Sequence, residues 1–454
     1  MELLNRGSER AVKLVRKAGW DRRDAYRLSG FCILYEEDGV CLLKNTLTEQ
    51  IYRLTGEEYA ALGPLREGNR GVDYIRENGL EELAVSRCVV GVDYDERAEY
   101  LSALHVLRLM EPPAEGFESY VVFPTTACNA RCVYCFEKDF VPVTMSEDTA
   151  LAAAAYIDRT RRKGPVRLRW FGGEPLAAAS RIDLICRELE RRGVEFVSSI
   201  TTNGSLLDAD MAARAVSLWR LKKAEVALEG DRGAYEARKR YLDPERHNFD
   251  TVLRAVRLLL ERDVDIILRC NYDAGNLGGL YRYVEELHRE FGDFENIRLS
   301  FAVLHQEYGS GNAPGLVRQI REVEDYALSL GLKLLMQENA AFQTRACMAD
   351  NMDRSVVIEP GGQLQHCDIL DDENRFGNVW DGVTDRARYE ALKRPHAVEA
   401  ECGTCPFLPE CTPFRRTGCP ITRLGSCRGI LREATENSLH RMALALRRER
   451  SEDR

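Results

Sequence analysis

The chain has 454 residues, a formal net charge of −9 and a pI near 5.6, which is enough length for two or three domains and the wrong charge for a nucleic-acid binder. Its arginine clusters, such as Arg159–Lys163 and Arg415-Arg416, read as solvated faces or patches for an acidic peptide. No run is long and apolar enough to cross a bilayer, and Met1-Glu-Leu-Leu-Asn-Arg lacks the basic start and apolar core of a secretion signal, so the 15 cysteines are expected in a reducing cytoplasm, as ligands or core thiols and not as disulfides.

In chain order, Phe31-Cys-Ile-Leu-Tyr35 and Gly39-Val-Cys-Leu-Leu43 flank a Glu-Asp-Gly turn and predict a hairpin. Thr55–Leu62 predicts a capped helix and Val72–Asn78 a second. Glu82–Val92 reads as a strand pair or wing and Ala98–Met110 as a third helix, giving a separate domain over residues 1–112. Apolar, β-branched runs then recur near 118–124, 166–171, 195–201, 224–228, 264–270 and 296–303. Between them lie amphipathic stretches of helical period: Thr149–Arg162, Arg181–Arg192, Leu206–Leu221, Asp250–Arg262 and Leu277–Phe291. Strand–helix alternation at this rhythm predicts βαβ units and a parallel sheet with helices outside, over residues 113–335. In parallel barrels the loops at the strand C-termini carry function.

Three motifs fall at such ends. Cys128-Asn-Ala-Arg-Cys132-Val-Tyr-Cys135 follows the first run, and such a loop wraps an iron–sulfur cluster by thiolate ligation. Phe171-Gly172-Gly173-Glu174-Pro175 closes the second; its glycines let backbone approach a ligand, and its carboxylate accepts from an ammonium. Ser198-Ser-Ile-Thr201-Thr202-Asn203-Gly204 closes the third. A zinc site is the competing reading of the cysteines, although zinc wants four ligands and no histidine lies nearby. The three motifs in this order resemble the radical S-adenosylmethionine (radical SAM) enzymes from about Glu118 to His305. The resemblance implies a partial (β/α)6 TIM-type barrel and a [4Fe–4S] cluster on Cys128, Cys132 and Cys135. Its open iron would chelate SAM, whose reductive cleavage gives a 5′-deoxyadenosyl radical. It also implies a SAM pocket formed by Gly172, Gly173, Glu174, Pro175, Thr202 and Asn203. Glu229, where relatives often carry aspartate, and Arg269 and Asn271 at the fifth strand end are further candidates for that pocket; the competing reading for them is a solvated strand end. Cys270, like Cys32, Cys41, Cys88 and Cys186, reads as a core thiol.

Cys347, Cys367, Cys402, Cys405, Cys411, Cys419 and Cys427 fall within 81 residues. With Gly362 they resemble the SPASM extension of radical SAM enzymes, expected over residues 336–435 with a C-terminal helix over 436–454. The resemblance assigns Cys402, Cys405, Cys411 and Cys427 to a distal [4Fe–4S] cluster and Cys347, Cys367 and Cys419 to one nearer the substrate, making three clusters in all. Seven residues separate Cys411 from Cys419 where relatives usually have three. Met348–Asp353 offers no extra cysteine, which leaves room for an open iron on the inner cluster. A structural zinc ribbon through Cys402, Cys405 and Cys411 is the rival.

The N-terminal segment resembles the winged-helix precursor-peptide recognition element of peptide-modifying enzymes, in which an extended leader adds as a strand to a sheet edge; a plain structural cap on the barrel is the alternative. Together these resemblances imply a maturase that closes a thioether or carbon–carbon cross-link in a ribosomally made precursor peptide. Its partners would be that peptide, with its leader, and an external one-electron reductant of flavodoxin or ferredoxin type. The alternative is an anaerobic sulfatase maturase forming formylglycine. In those enzymes an aspartate directly after the second auxiliary cysteine acts as general base, which maps to Asp368 after Cys367.

Overall fold

The computed structural model describes residues 1–7, 9, 12, 24–112, 114–335, 353–392, 400–411 and 427–452. Cys347, Cys419, residues 348–352 and Arg415-Arg416 lie outside the described residues.

Five strands come first: β1 (Glu2–Asn5), β2 (Tyr26–Leu28), β3 (Cys32–Glu37), β4 (Val40–Asn45) and β5 (Ile51–Leu54). Four of them make an antiparallel sheet in the order β1-β5-β4-β3. The expected hairpin is β3–β4, closed by Asp38 and Gly39 at φ 47° and 75°. Positive φ at both positions is the geometry that matches the twist of paired strands. The expected capped helix is α1 (Gly56–Ala61), where Thr55 accepts from the Glu58 N–H and the Glu58 side chain accepts from the Thr55 N–H.

After α2 (Gly63–Arg66) and α3 (Val72–Glu77), the structure departs from expectation. Residues 82–92 are not a strand pair: Glu81–Val85 forms helix α4, and Val89–Gly91 is a single strand, β6, pairing antiparallel with β2. The apolar positions Leu83 and Ala84 are helix-spaced against Leu80 and pack into the domain core. Alternation over so short a run cannot separate the two cases. Helix α5 (Glu96–Met110) closes this unit.

The barrel strands are β7 (Ser119–Thr125), β8 (Val166–Gly172), β9 (Phe196–Thr202), β10 (Leu221–Ala227), β11 (Asp265–Tyr272) and β12 (Ile297–Val303), all parallel and neighbours in sequence order. Between them run α6 (Glu147–Thr160), α7 (Ala179–Arg191), α8 (Ala209–Ser217), α9 (Arg232–Lys239), α10 (Phe249–Leu260) and α11 (Leu280–Phe291). The third expected helix is cut short at both ends, because Asp208 caps α8 at the Met211 N–H and Leu221 already belongs to β10. One strand face, with Leu168, Trp170, Ile200 and Val226, meets the helices in a continuous core. Helix α10 alone buries Phe249, Val252, Val256, Leu259 and Leu260 there, each worth about 1.5–3 kcal/mol.

After β12 come α12 (His305–Ser310) and α13 (Ala313–Ser329), which the strand rhythm did not foretell. The sheet then continues across the expected boundary at residue 335. β13 (Ser355–Ile358) pairs parallel with β7, followed outward by β14 (Gln363–Gln365), β15 (Gly377–Asn378) and β16 (Gly382–Val383). Beyond α14 (Arg386–Leu392) the C-terminal helix α15 runs Cys427–Glu452, starting nine residues before the expected 436. It lies along α13 and on the N-terminal sheet, where Leu439, Ala443 and Leu446 meet Val40, Leu42 and Ile51.

Candidate active site

The Cys128–Cys135 loop leaves the end of β7 and is held by residues far away in sequence. Asn129 accepts from Asn203 Nδ2 (2.9 Å) and donates to Ser205 Oγ (2.9 Å). The Arg131 and Val133 N–H groups donate to the carbonyls of Arg240 and Arg238, and the Leu242 N–H donates to Asn129. The loop is thus pinned by the end of β9 on one side and the end of α9 on the other.

The glycines of the second motif also let two strand ends pack closely. A Cβ on Gly172 would collide with the Thr125 carbonyl, and one on Gly173 would lie 2.5 Å from the carbonyls of Thr126 and Ala127. Gly172 also has φ 121°. Here the close approach is between strand ends β7 and β8, and it sets the root of the cysteine loop.

Glu174 is fully buried. Its carboxylate accepts from Thr202 Oγ1 (2.6 Å) and from the N–H groups of Asn203 (2.8 Å) and Leu176 (3.0 Å). Burial raises its pKa, and those three donors oppose the shift. Glu174, Thr202 and Asn203 therefore form one knot joining the ends of β8 and β9. Asn203 Nδ2 also lies 4.0 Å from Cys128 Sγ.

The concave face of the sheet is polar. Arg269 pairs with Glu225 (3.2 Å) and donates to Asn271 Oδ1 (3.0 Å); Asn271 donates to Glu229 Oε1 (3.1 Å). Glu229 is fully buried, not a solvated strand end, and its other oxygen meets Lys239 Nζ at 3.3 Å. Lys239 also reaches the Tyr134 hydroxyl, between Cys132 and Cys135, at 3.3 Å. The chain of contacts from Glu225 to Tyr134 thus links the barrel interior to the cysteine loop.

Lys239 was not anticipated. It sits at the end of a short helix in Glu236-Ala-Arg-Lys-Arg240, which reads as a solvated basic run. Its neighbours Arg238 and Arg240 lie elsewhere, Arg238 bidentate on Asp273. Burial disfavours the Lys239 charge, but the Glu229 carboxylate and Cys132 outweigh it and hold its pKa above the ordinary value.

The thiols of Cys128, Cys132 and Cys135 are free and partly buried. Burial pushes Cys128 up to about 12 and raises the other two. Protein groups alone leave them protonated; a bound cationic centre would supply the counter-charge that thiolate ligation needs. The residues present therefore fit an iron–sulfur cluster. Beside them Glu137 is 9% exposed with Oε1 unpartnered; burial and Asp368 push its carboxyl up to about 7. Asp368 is tied to Arg169 on β8 (3.4 Å), so the extension brings Cys367-Asp368 to the mouth beside the loop.

In the second set, Cys402 packs with Tyr100 and Leu104 of α5, and Cys405 and Cys411 share a cluster with Ile33 and Leu431. Cys427 opens α15 one helical turn before Leu431, the residue that shares a cluster with Cys405 and Cys411. Among the described residues no three His, Cys, Asp or Glu side chains converge on a single-ion site. A groove of about 700 Å³ lined by Asp231, Asn276, Arg282 and Glu286 includes none of these residues.

Comparison with known proteins places this geometry. The model of the Radical SAM superfamily matches residues 122–272. GTP 3',8-cyclase of Ectopseudomonas mendocina (strain ymp) is 33% identical over 147 residues, covering 31% of this chain and 43% of that protein. The GTP 3',8-cyclase of Limosilactobacillus fermentum is 38% identical over 121 residues, covering 25% and 35%. The chain thus spans less than half the length of these curated relatives. Among solved structures, native anSMEcpe with bound AdoMet superposes at TM-score 0.56 and 16% identity, covering 72% of this chain and 98% of that one. Streptococcus suis SuiB superposes at 0.51 and 15%, covering 87% and 96%. Residues 122–272, with the cysteine loop and both glycine-bearing strand ends inside them, thus carry a radical SAM domain.

Proposed function

We propose that the enzyme is a peptide maturase that installs a thioether or carbon–carbon cross-link in a ribosomally made precursor. The observation that carries the reading is the N-terminal folded unit docked on the second cysteine set. Thr46 Oγ1 donates to the Pro406 carbonyl (2.5 Å), Lys44 pairs with buried Glu410 (2.9 Å), and Leu408 fills a pocket of Phe31, Leu47, Tyr100 and Leu104. A unit with an antiparallel sheet that has a free edge strand suits an extended peptide. The fold of SuiB, which has also been solved with precursor peptide SuiA, extends over 87% of this chain, against 72% for anSMEcpe.

In this reading Cys128, Cys132 and Cys135 would hold the [4Fe–4S] cluster that the matched radical SAM domain implies. Gly172–Pro175, Thr202, Asn203, Glu229, Arg269 and Asn271 surround SAM. Cluster and SAM together supply hydrogen-atom abstraction. The protein's part is to fix the loop through Asn129, Asn203 and Arg238–Arg240, and to present a polar chamber to the peptide. Each cross-link costs the peptide two hydrogens, one as an atom and one as a proton, and the electron left behind would pass to an auxiliary cluster. Asp368, steered by Arg169, is the group placed to take the proton. Cys402, Cys405, Cys411 and Cys427 hold a distal auxiliary cluster; Cys367, with Cys347 and Cys419 outside the described residues, holds the inner one. A one-electron donor of flavodoxin or ferredoxin type is the reductant.

The second reading, formylglycine formation by a sulfatase maturase, is favoured by the position of Asp368 at the mouth beside Glu137. Co-expression with a candidate leader-bearing precursor peptide and with a peptide carrying a sulfatase-type Cys or Ser motif, followed by mass spectrometry, separates the two. The peptide reading expects a mass loss of two hydrogens per cross-link, dependent on the leader. Equal turnover of leader-bearing and leaderless peptide would sink it and promote formylglycine formation.

A further inference from the structure

Lys239 is 2% exposed, and the three groups around its ammonium all stand at 3.3 Å: the Glu229 carboxylate, the Ala227 carbonyl and the Tyr134 hydroxyl. These are long contacts for a charge-assisted bond, which usually closes to about 2.7–2.9 Å. A buried ion pair is also weak evidence for stability, since apolar side chains of similar volume often serve a fold as well. Folding alone therefore gives little reason for a cation here, and its surroundings supply one. Tyr134 stands between Cys132 and Cys135, and the Lys239 charge bears on Cys128, Cys132 and Cys135 alike. At Cys132 its attraction for a thiolate exceeds the repulsion from Glu229, so the pair turns its positive end to the loop. The charge is also fixed in place. The carbonyls of Arg238 and Arg240, on either side of Lys239, accept from the Val133 and Arg131 N–H groups and tie the end of α9 to the loop. Glu229, with no exposure of its own, is held from behind by Asn271 at 3.1 Å.

We infer that Lys239 is a fixed cation that raises the reduction potential of the cluster assigned to the cysteine loop, with Glu229 as its anchor. Reduction adds one electron, supplied by the flavodoxin- or ferredoxin-type donor, which is oxidised by one electron in turn. The ammonium offsets the added negative charge without a proton having to move. Net charge around the sulfurs is one of the levers by which a protein sets such a potential. The inference rests on the cluster assigned to Cys128, Cys132 and Cys135 and not on the identity of the peptide.

The test is a redox titration of the full chain, reconstituted anaerobically with iron and sulfide and followed by electron paramagnetic resonance. The relevant signal is the one missing when Cys128, Cys132 and Cys135 are all changed to Ala. At the wild-type midpoint, Lys239→Met is expected to lower the ratio of reduced to oxidised cluster roughly tenfold or more, the effect of one charge at short range in a buried site. Lys239→Arg keeps the charge and should stay within about threefold of wild type. Lys239→Met combined with Glu229→Gln removes the opposing carboxylate too, so there the ratio should fall less, by about threefold or more. A wild-type ratio in both Met variants, at normal iron content, overturns the inference, and so does a ratio in Lys239→Arg as low as in Lys239→Met. Should Lys239→Met fail to fold, the double variant decides, and a wild-type ratio there overturns the inference. If the wild type shows no signal that the triple Ala variant lacks, the cluster reading itself fails and the inference falls with it.

Discussion

The loop from Cys128 to Cys135 hangs from the ends of parallel strands, and the residues that pin it come from later strand ends and the helices that follow them. The segment from Cys402 to Cys411 is held differently. It is wedged between β3, β4 and α5 on one side and α15 on the other, elements that have no regular ladder with it. Both carry cysteines spaced for metal. The first inherits its geometry from a repeating scaffold, and the second borrows its geometry from two other parts of the chain. Damage to the first should therefore abolish chemistry and leave the fold standing, whereas damage to the second should loosen the join between domains.

The largest expected effect is on the first region. Changing Cys128, Cys132 and Cys135 together to Ala should bring SAM cleavage to background while iron held by the second set persists, read as iron per chain and 5′-deoxyadenosine formed. Loss of all iron would show that the two regions are one centre. Next comes Lys239→Met, which strands buried Glu229 without its counter-charge. Breaking such a pair costs about 3–5 kcal/mol, and adding Glu229→Gln should restore most of it, measured by denaturant midpoint. A single variant as stable as wild type would place the pair in water.

Glu174→Gln puts an amide among three donors that need an acceptor. A lost charge-assisted hydrogen bond is worth about 1.5–3 kcal/mol, so SAM affinity should fall roughly ten- to a hundredfold with cluster content unchanged. In the second region, Lys44→Met leaves Glu410 unpaired, but Lys44 keeps 18% exposure, so the cost should be about 2 kcal/mol, below that of a fully buried pair. It should appear as faster proteolysis of residues 24–112 with SAM cleavage intact. If SAM cleavage falls in step with proteolysis, the two regions are not separable.

The smallest effect belongs to Glu118, at the base of β7, whose carboxylate meets Arg162, Arg167 and Arg354 at 2.6, 3.3 and 3.0 Å. Burial works against its charge, yet the three guanidiniums hold the carboxyl below its ordinary value. A depressed carboxyl stabilises the fold above its unfolded pKa, and that contribution is lost as pH falls through the folded value. Glu118→Gln should cost roughly 1 kcal/mol at neutral pH and flatten the acid limb of stability below about pH 4.3. An acid limb identical to wild type would remove Glu118 from the clamp.

Much of the first region was legible in the sequence because its signals are local. The β-branched runs gave all six barrel strands to within a few residues, and the three motifs fall at their C-terminal ends as a parallel barrel requires. The knot of Glu174, Thr202 and Asn203 was readable as three candidates for one pocket, though not as partners of one another. What escaped depended on tertiary context. Lys239 looks like any basic helix end until Glu229 and Tyr134 close around it. Residues 82–92 hold two short apolar runs that suit strands as well as a helix, and their fate is decided by the core that Leu80 and Leu83 join. The continuation of the sheet through β13 could not be seen, since a four-residue strand 236 residues downstream of its partner leaves no local trace.

That late strand bears on how the protein is made. β7 is completed early in synthesis, but the edge it shares with β13 stays open until Arg354 and the residues after it have left the ribosome, 236 residues later. At ordinary translation speeds this is roughly 10–50 s, far longer than local strand and helix formation. The face of the N-terminal sheet covered by Leu439 and Ala443 waits longer still. During this interval the nascent chain carries an unpaired, apolar strand edge beside the three cysteines of the loop. Yield of soluble enzyme should therefore depend on elongation rate, and stalling codons between β12 and β13 should lower it without altering a single residue.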